Sequence, residues 1–270
     1  MTFRQGLVNS SFLLLLSSSP FAQQVEEGID AEALISQILL VDKAQRDRIQ
    51  DLVMDAELIE GERDVDKQSD KVRFLKKVYI KYLPDTALYY EEYLQYFKND
   101  ELRSEEELAR EAGERIEQRR KRNTRNAAFP MLKPFYPENR GKYEIFYRGV
   151  ALEQVADHVC HRFTVTAIAE EPDAINGDYY FQAESFHLVH VDFSPARLTK
   201  KMMFRLSKLN MSITYQPVLD DLWLPSQFEI EGKGRAAFFI GVNFAAVEYY
   251  RDHQVNVGLD AAMFEVEHGD

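Results

Sequence analysis

Between residues 143 and 256 the chain alternates apolar and polar side chains in long runs, with almost no helical spacing. Residues 161–169 show it most strictly, with Phe163, Val165 and Ala167 on one side and Arg162, Thr164 and Thr166 on the other. A period of two belongs to a strand, whose successive side chains face opposite ways. The pattern predicts strands over 143–148, 161–169, 179–183, 186–193, 202–218, 223–231 and 236–252, with turns at 172–177 and at Lys233 and Gly234. Two of these runs approach 17 residues, against a usual strand of about 5–6. Long antiparallel strands twist and coil, so this half predicts a large curved sheet.

The first half mixes periods. Asp30 can cap a helix over 30–46, in which Leu34, Ile35, Ile38, Leu39 and Val41 recur at helical spacing. A strand follows over 53–60, then a polar loop over 61–70. Over 72–83, Val72 and Phe74 point one way, and Val78, Ile80 and Tyr82 resume that face after a bulge at Lys76 and Lys77. Residues 84–85 read as a turn. Residues 88–97, rich in Tyr and Leu, read as a third strand, with Glu91 and Glu92 leaving a helix open. Ser104 and Glu107 form a capping box at the head of an inserted helix over 104–122, whose apolar stripe of Leu108, Ala112 and Ile116 is thin. Arg119, Arg120, Lys121 and Arg122 then complement the negative end of that helix. Residues 123–139, with Pro130, Pro134 and Pro137, read as a linker or crossing loop.

Residues 1–22 have the grammar of a cleavable signal peptide: Arg4, an apolar core from Phe12 to Leu16, three serines and Ala22. The apolar run falls short of the ~20 residues that a spanning helix needs, and no later segment supplies one. The expectation is a periplasmic or secreted protein with no transmembrane anchor after cleavage, residues 23–270 forming a single domain. A net charge of −12 repels nucleic acid. Cys160 is the single cysteine, so no intrachain disulfide forms.

The order of elements carries a resemblance. An early helix, strands, a capped helix at Ser104 preceded by Asp100, Glu101 and Leu102, the Trp223, Leu224, Pro225 strand opening, and a long aromatic strand ending in Tyr249, Tyr250, Arg251 and Asp252 resemble the outer-membrane lipoprotein carrier (LolA/LolB-like) superfamily. The chain is similar, more closely, to exported bacterial lipoprotein-sorting-like proteins. The resemblance implies an α+β fold, a curved antiparallel half-barrel with helices covering its concave face, able to hold acyl chains.

The other constellations are weaker. His158 and His161, and His187 and His190, are spaced by three, which places a strand pair on opposite faces; zinc needs three or four converging ligands. Cys160 beside His161 lacks the orienting third group of a thiol nucleophile. No carboxylate pair and no Gly-rich phosphate loop stands out. The basic run 119–125 reads as a solvated helix end or an anion contact. The reading is therefore no enzyme, no metal and no cofactor. Candidate ligand contacts are Phe163, Val165, Trp223, Phe228, Ile230, Phe239 and Phe244 on one sheet face, for non-catalytic binding or carriage of a lipid or lipoprotein acyl chain in the cell envelope. The alternatives are an envelope protein-interaction or sensor module on the same fold, and a metal-dependent hydrolase using His158 and His161.

Overall fold

The computed structural model describes residues 30–61, 71–83, 86–121, 131–171, 173–198, 200–201, 204–219, 221–236 and 240–264. The leader, the loop 62–70, the turn at 84–85, residues 122–130 of the basic run and linker, and Phe239 lie outside them.

The strands form one open antiparallel sheet. They are β1 (Asp51–Gly61), β2 (Val72–Leu83), β3 (Thr86–Lys98), β4 (Glu101–Leu102), β5 (Tyr143–Val150), β6 (Cys160–Ala167), β7 (Ile175–Gln182), β8 (Leu188–Pro195), β9 (Lys200–Lys201), β10 (Phe204–Leu219), β11 (Leu222–Ala236) and β12 (Ile240–Val255). Their spatial order is β4-β3-β2-β1-β12-β11-β10-β8-β7-β6-β5, with β9 added beside β10. The strands of the first and second halves meet where β1 pairs β12, from Leu52 opposite Val255 to Gly61 opposite Ala245.

Paired residues share a face, so the register sorts the side chains. One cross-strand row runs Phe163, Tyr179, Val191, Ile213, Phe228, Glu248, Leu58, Phe74 and Tyr96. Helix α1 (Ala31–Arg48) packs on this face. Asp30 caps it by accepting from the Glu32 amide at 3.0 Å, and Ile35 and Ile38 are buried against Phe163, Val165, Tyr179, Phe181 and Val191. Phe135 seals that core, edge-on to Phe163, Tyr179 and Phe181 at centroid distances of 5.9, 5.1 and 5.6 Å. A second buried cluster joins Ile49, Leu52, Met54, Ala56, Val78 and Ile80 to Leu222 and Leu224.

Helix α2 (Glu105–Lys121) opens with the predicted capping box, as the Glu107 amide donates to Ser104 Oγ and the Ser104 amide to Glu107 Oε2, each at 3.3 Å. Leu108, Ala112 and Ile116 are half-buried. Arg115 ties the helix to the sheet. Its guanidinium donates to both carboxylate oxygens of Glu60, at 2.8 and 2.5 Å, and lies 4.3 Å from the centroid of the Phe74 ring. Among the described residues, no helix is long and apolar enough to cross a membrane.

Several expectations are corrected. Alternation through β2 is unbroken, and the irregularity lies in β3, where Leu94 is the extra residue between the Leu75–Gln95 and Lys76–Tyr93 pairs. Residues 88–97 are strand, as read, and the helix left open by Glu91 and Glu92 does not form. Residues 131–142 are not a linker: short 3-10 turns at Lys133–Phe135 and Arg140–Lys142 hold Phe135 in the core. Asn176 and Gly177 belong to β7 and not to a turn. A Cβ at Gly177 would sit 2.5 Å from the Asp192 carbonyl oxygen and 3.0 Å from Phe193 Cβ, so a residue that reads as turn-forming instead allows close strand packing. Lys233 and Gly234 likewise continue β11, paired with Asn243 and Val242 of β12.

The junction of β1 and β12 is fastened by the buried Asp51 carboxylate. It accepts from the amides of Val257 (2.7 Å), Gly258 (3.1 Å) and Leu259 (3.0 Å). Asp51→Ala leaves three donors without it, at about 1 kcal/mol each. We expect a loss of about 3 kcal/mol in urea unfolding, with an unchanged value for Asp55→Ala, an exposed neighbour on the same strand.

Candidate functional site

The structure divides the seven predicted contacts. Phe163 and Val165 are buried beneath α1 and the Phe135 segment and form core, not surface. Trp223 stands apart, in a small cluster with Cys160 and Val189, stacked on His187 at 5.6 Å and flanked by His158 at 4.9 Å. Its amide donates to Gln45 of α1. Phe239 lies outside the described residues. Phe228, Ile230 and Phe244 remain together.

These three form an apolar strip on β11 and β12. Phe228 lies opposite Ile213, Ile230 opposite Met211, and Gly232 opposite both Leu209 and Phe244. Gly232 is needed there because the Phe244 ring lies over it: a Cβ would meet Phe244 Cζ at 2.2 Å. Phe228, Ile230, Met211 and Phe244 are half-buried and belong to none of the buried clusters. The strip shares its face with α1 on one side and with Arg115–Glu60 of α2 on the other, and none of its residues belongs to the buried cluster that holds α1.

Beside the strip is a buried charge cluster. Lys76, 2% exposed, bonds Glu91 and reaches Glu248 at 2.8 Å. Tyr89 and Tyr93 donate to the two oxygens of Glu91 at 2.7 and 2.9 Å. Glu248 is the cross-strand partner of Phe228, so the charge borders the strip directly. Lys76 reaches across β1 at Ala56, its register partner, which is also opposite Tyr250. The small side chain at that position leaves the lysine its path. The sequence signal for this cluster was present and misread: Lys76 breaks an apolar alternation, and a buried lysine accounts for that as well as a bulge does.

The thiol and the histidines do not assemble. Burial pushes Cys160 up to about 11, so it is a protonated thiol at neutral pH, and its Sγ lies 3.5 Å from the His158 carbonyl oxygen. His161 Nδ1 is 3.0 Å from the Tyr147 hydroxyl, and His190 bonds Thr214 and Asp192 at 2.9 and 3.2 Å. Among the described residues, no three of His, Cys, Asp and Glu converge as metal ligands.

Two cavities open on the sheet. One of about 530 Å³ lies over Ile59, Val247, Glu229, Ser212 and Asp192. By register these stand on the face opposite Phe228. The other, of about 520 Å³, lies at the end of β10 and β11, between the β6–β7 and β8–β9 turns.

No family model and no curated protein matches the chain. Among solved structures it is similar to a DUF1329 family protein from Desulfovibrio piger, at 13% identity over 87% of this chain and 97% of that one, with a TM-score of 0.43. It is also similar to a putative outer membrane lipoprotein-sorting protein domain from Vibrio parahaemolyticus, at 13% identity, 85% and 97% coverage and a TM-score of 0.38. A LolA superfamily protein from Nitrosomonas europaea follows at 10% identity, 88% and 98% coverage and a TM-score of 0.34. Lipoprotein-sorting and LolA superfamily proteins, the names the layout of elements pointed to, are thus among its structural neighbours.

Two outcomes follow from this geometry. Lys76→Met strands two buried carboxylates and is expected to cost about 3–5 kcal/mol. Adding Glu91→Gln and Glu248→Gln, which keeps shape and removes charge, should recover most of it in chemical denaturation; a triple variant as weak as the single would mean that the lysine acts by packing. The second concerns pH. Burial lowers His187 and His253 below the ordinary histidine value of 6.5, against the opposing pull of Asp221 on His187. The unfolded chain therefore binds protons that the folded one refuses, and stability present above pH 6.5 falls as the pH drops below it, by up to about 1.4 kcal/mol per unit for each group. His187→Phe, which keeps the stacking on Trp223, should flatten the fall between pH 6.5 and 5.5.

Proposed function

We propose that the face bearing both helices is the concave inside of a half-barrel and that it binds a lipid or another acyl-chain ligand, in the cell envelope to which residues 1–22 would direct the chain. The observation that carries this reading is the half-buried strip of Phe228, Ile230 and Phe244, left outside every core cluster. An apolar surface of this kind gains by burying methylenes at about 0.8 kcal/mol each. Phe163 and Val165 serve as its packed floor and Trp223 as a structural anchor to α1. The activity is binding without chemistry, since the one thiol is held protonated and no group in the strip can act as base or nucleophile.

A second reading, attachment of an envelope protein, has its own observation. Strand β5 is an open edge of the sheet, and Phe146 and Val150 on it are 44% and 42% exposed, the features that recruit an added strand.

Native mass spectrometry of the mature chain, purified from an envelope fraction without detergent, separates the two. We expect co-purifying lipid at about one per chain, with its occupancy reduced at least tenfold by Phe228→Asp with Ile230→Asp, provided circular dichroism shows the variant folded. An apo mass, or retention by the folded variant, overturns the lipid reading and leaves the β5 edge as the working site.

A further inference from the structure

The sheet ends differently at its two edges. On one side the last strand is β4, two residues long, with α2 packed beside β3. A short edge strand with a helix at its side is a usual protection against pairing with another chain. On the other side the last strand is β5, eight residues long. The hairpin of β5 and β6 also carries much of the apolar surface that the fold leaves open. Of the eleven large apolar residues exposed among the described ones, Phe146, Val150, Leu152, Val159 and Ile168 all belong to these two strands and their flanks. This concentration at one edge marks an interaction surface.

Pairing with β6 fixes the phase of the β5 backbone. The Ile168 amide donates to the Lys142 carbonyl at 2.9 Å, and Glu144 and Phe146 lie opposite Thr166 and Thr164. Hydrogen-bonded pairs alternate with non-bonded ones along an antiparallel ladder. Glu144 and Phe146 therefore turn their amides and carbonyls toward β6, and Tyr143 and Ile145 turn theirs to the open side. The side chains of Glu144, Phe146 and Arg148 are exposed on one face of the strand, the face away from Phe163 and α1. Arg148 is held in place there. Its Nε donates to Thr164 Oγ1 at 3.1 Å, and its guanidinium lies 5.1 Å from the centroid of the Phe146 ring. Neither Glu144 nor Arg148 has an ion pair among the described residues. Arg162 on the neighbouring strand is paired with Asp178.

We propose that the β5 edge pairs with the β5 edge of a second copy of this chain, antiparallel about a two-fold axis that passes through the sheet beside Phe146, so that two sheets join into one. The strand is its own complement. Glu144 stands two residues before Phe146 and Arg148 two residues after it, so each Glu144 comes opposite the Arg148 of the other copy. The two Phe146 positions form a non-hydrogen-bonded pair, in which side chains come closest, and the outward groups of Ile145 supply hydrogen-bonded pairs on either side of the axis. Moving the axis by one residue, to Ile145, would set Glu144 against Phe146 and lose the charge match. The proposal rests on the open edge described above and names what is added to it. It is independent of the lipid reading, whose strip lies on the other face of the sheet.

The test is sedimentation equilibrium of the full mature chain across the micromolar range, the affinity expected of a small interface. Wild type should be in monomer–dimer equilibrium there. Glu144→Arg and Arg148→Glu each place two like-charge pairs beside the axis, and each should weaken association at least about tenfold. Mixed in equal amounts, the two variants should associate as tightly as wild type, because every arginine of one then meets a glutamate of the other. Both positions are exposed, and each variant should keep the circular dichroism spectrum of wild type, which separates loss of association from loss of fold. A wild type that stays monomeric throughout the range overturns the self-pairing and leaves the edge to an envelope protein. A dimer that survives in both variants, or one that mixing does not restore, overturns the β5 register in favour of another surface. Lipid occupancy by native mass spectrometry stands or falls separately.

Discussion

The pairing of β1 with β12 is the contact on which the rest of this sheet depends. It brings Leu52 against Val255 and Leu58 against Glu248, residues at opposite ends of the described chain. Closing so long a loop costs entropy, although the cost grows only slowly with length. Polar clamps concentrate at this junction: Asp51 gathers the amides of residues 257–259, and Asn256 accepts from the Gln50 amide at 2.7 Å and donates to the Arg48 carbonyl at 2.8 Å. These bonds fix register as well as proximity. A slip by one residue would turn Glu248 and Phe228 away from the face on which Lys76 and α1 lie. Lys76 would then face one glutamate in place of two.

That fixed register explains how a buried lysine is tolerated. Taking an ammonium and two carboxylates out of water costs several kcal/mol per ion, repaid only where geometry and added hydrogen bonds are good. The tyrosines at 89 and 93 supply those bonds to Glu91, and the small side chain of Ala56 gives the lysine its crossing of β1. With one cation for two anions, the cluster holds its strands in a single arrangement more than it adds net stability. It also bounds the apolar strip with a polar wall, so a chain lying on Phe228 and Ile230 has a defined side against which to stop.

The sequence made the strands legible because a period of two survives nearly intact from β5 to β12, and the capping residues Asp30 and Ser104 marked both helix starts. Three things were hidden for physical reasons. The alternation at Lys76 is regular, but a charge at an inward position looks like a break in a pattern when its partners, on β3 and β12, are unknown. Gly177, Gly232 and Gly234 signal turns in a sequence, yet serve here to let Phe193, Phe244 and the Arg205 carbonyl approach the backbone. Trp223 and Phe228 are five residues apart, a spacing that plain alternation sets on opposite faces; Ser226 is an extra β11 residue between the Thr214–Gln227 and Tyr215–Pro225 pairs, and Trp223 packs with Cys160 and Val189 while Phe228 belongs to no buried cluster. The grouping of Phe228, Ile230 and Phe244 was therefore legible, and that of Lys76, Glu91 and Glu248 was not, because a buried charge declares itself only through its partners.

Where a sequence breaks local rules without compensation in the fold, function is the first explanation to consider. Two such breaks fall on the same pair of strands. Along the middle of β10 and β11, large apolar side chains stay half-exposed although two helices pack on the same face. At the end of those strands, arginines oppose each other although acidic residues outnumber basic ones by 45 to 33 in the chain. Either break alone has an ordinary explanation, since single exposed apolar residues and single surface arginines are common. They do not form one surface: Phe228 and Ile230 stand on the face of Glu248, whereas Arg205 and Arg235, paired with each other one position out of phase, stand on the other, so the half-exposed apolar strip is the break that bears on the binding reading.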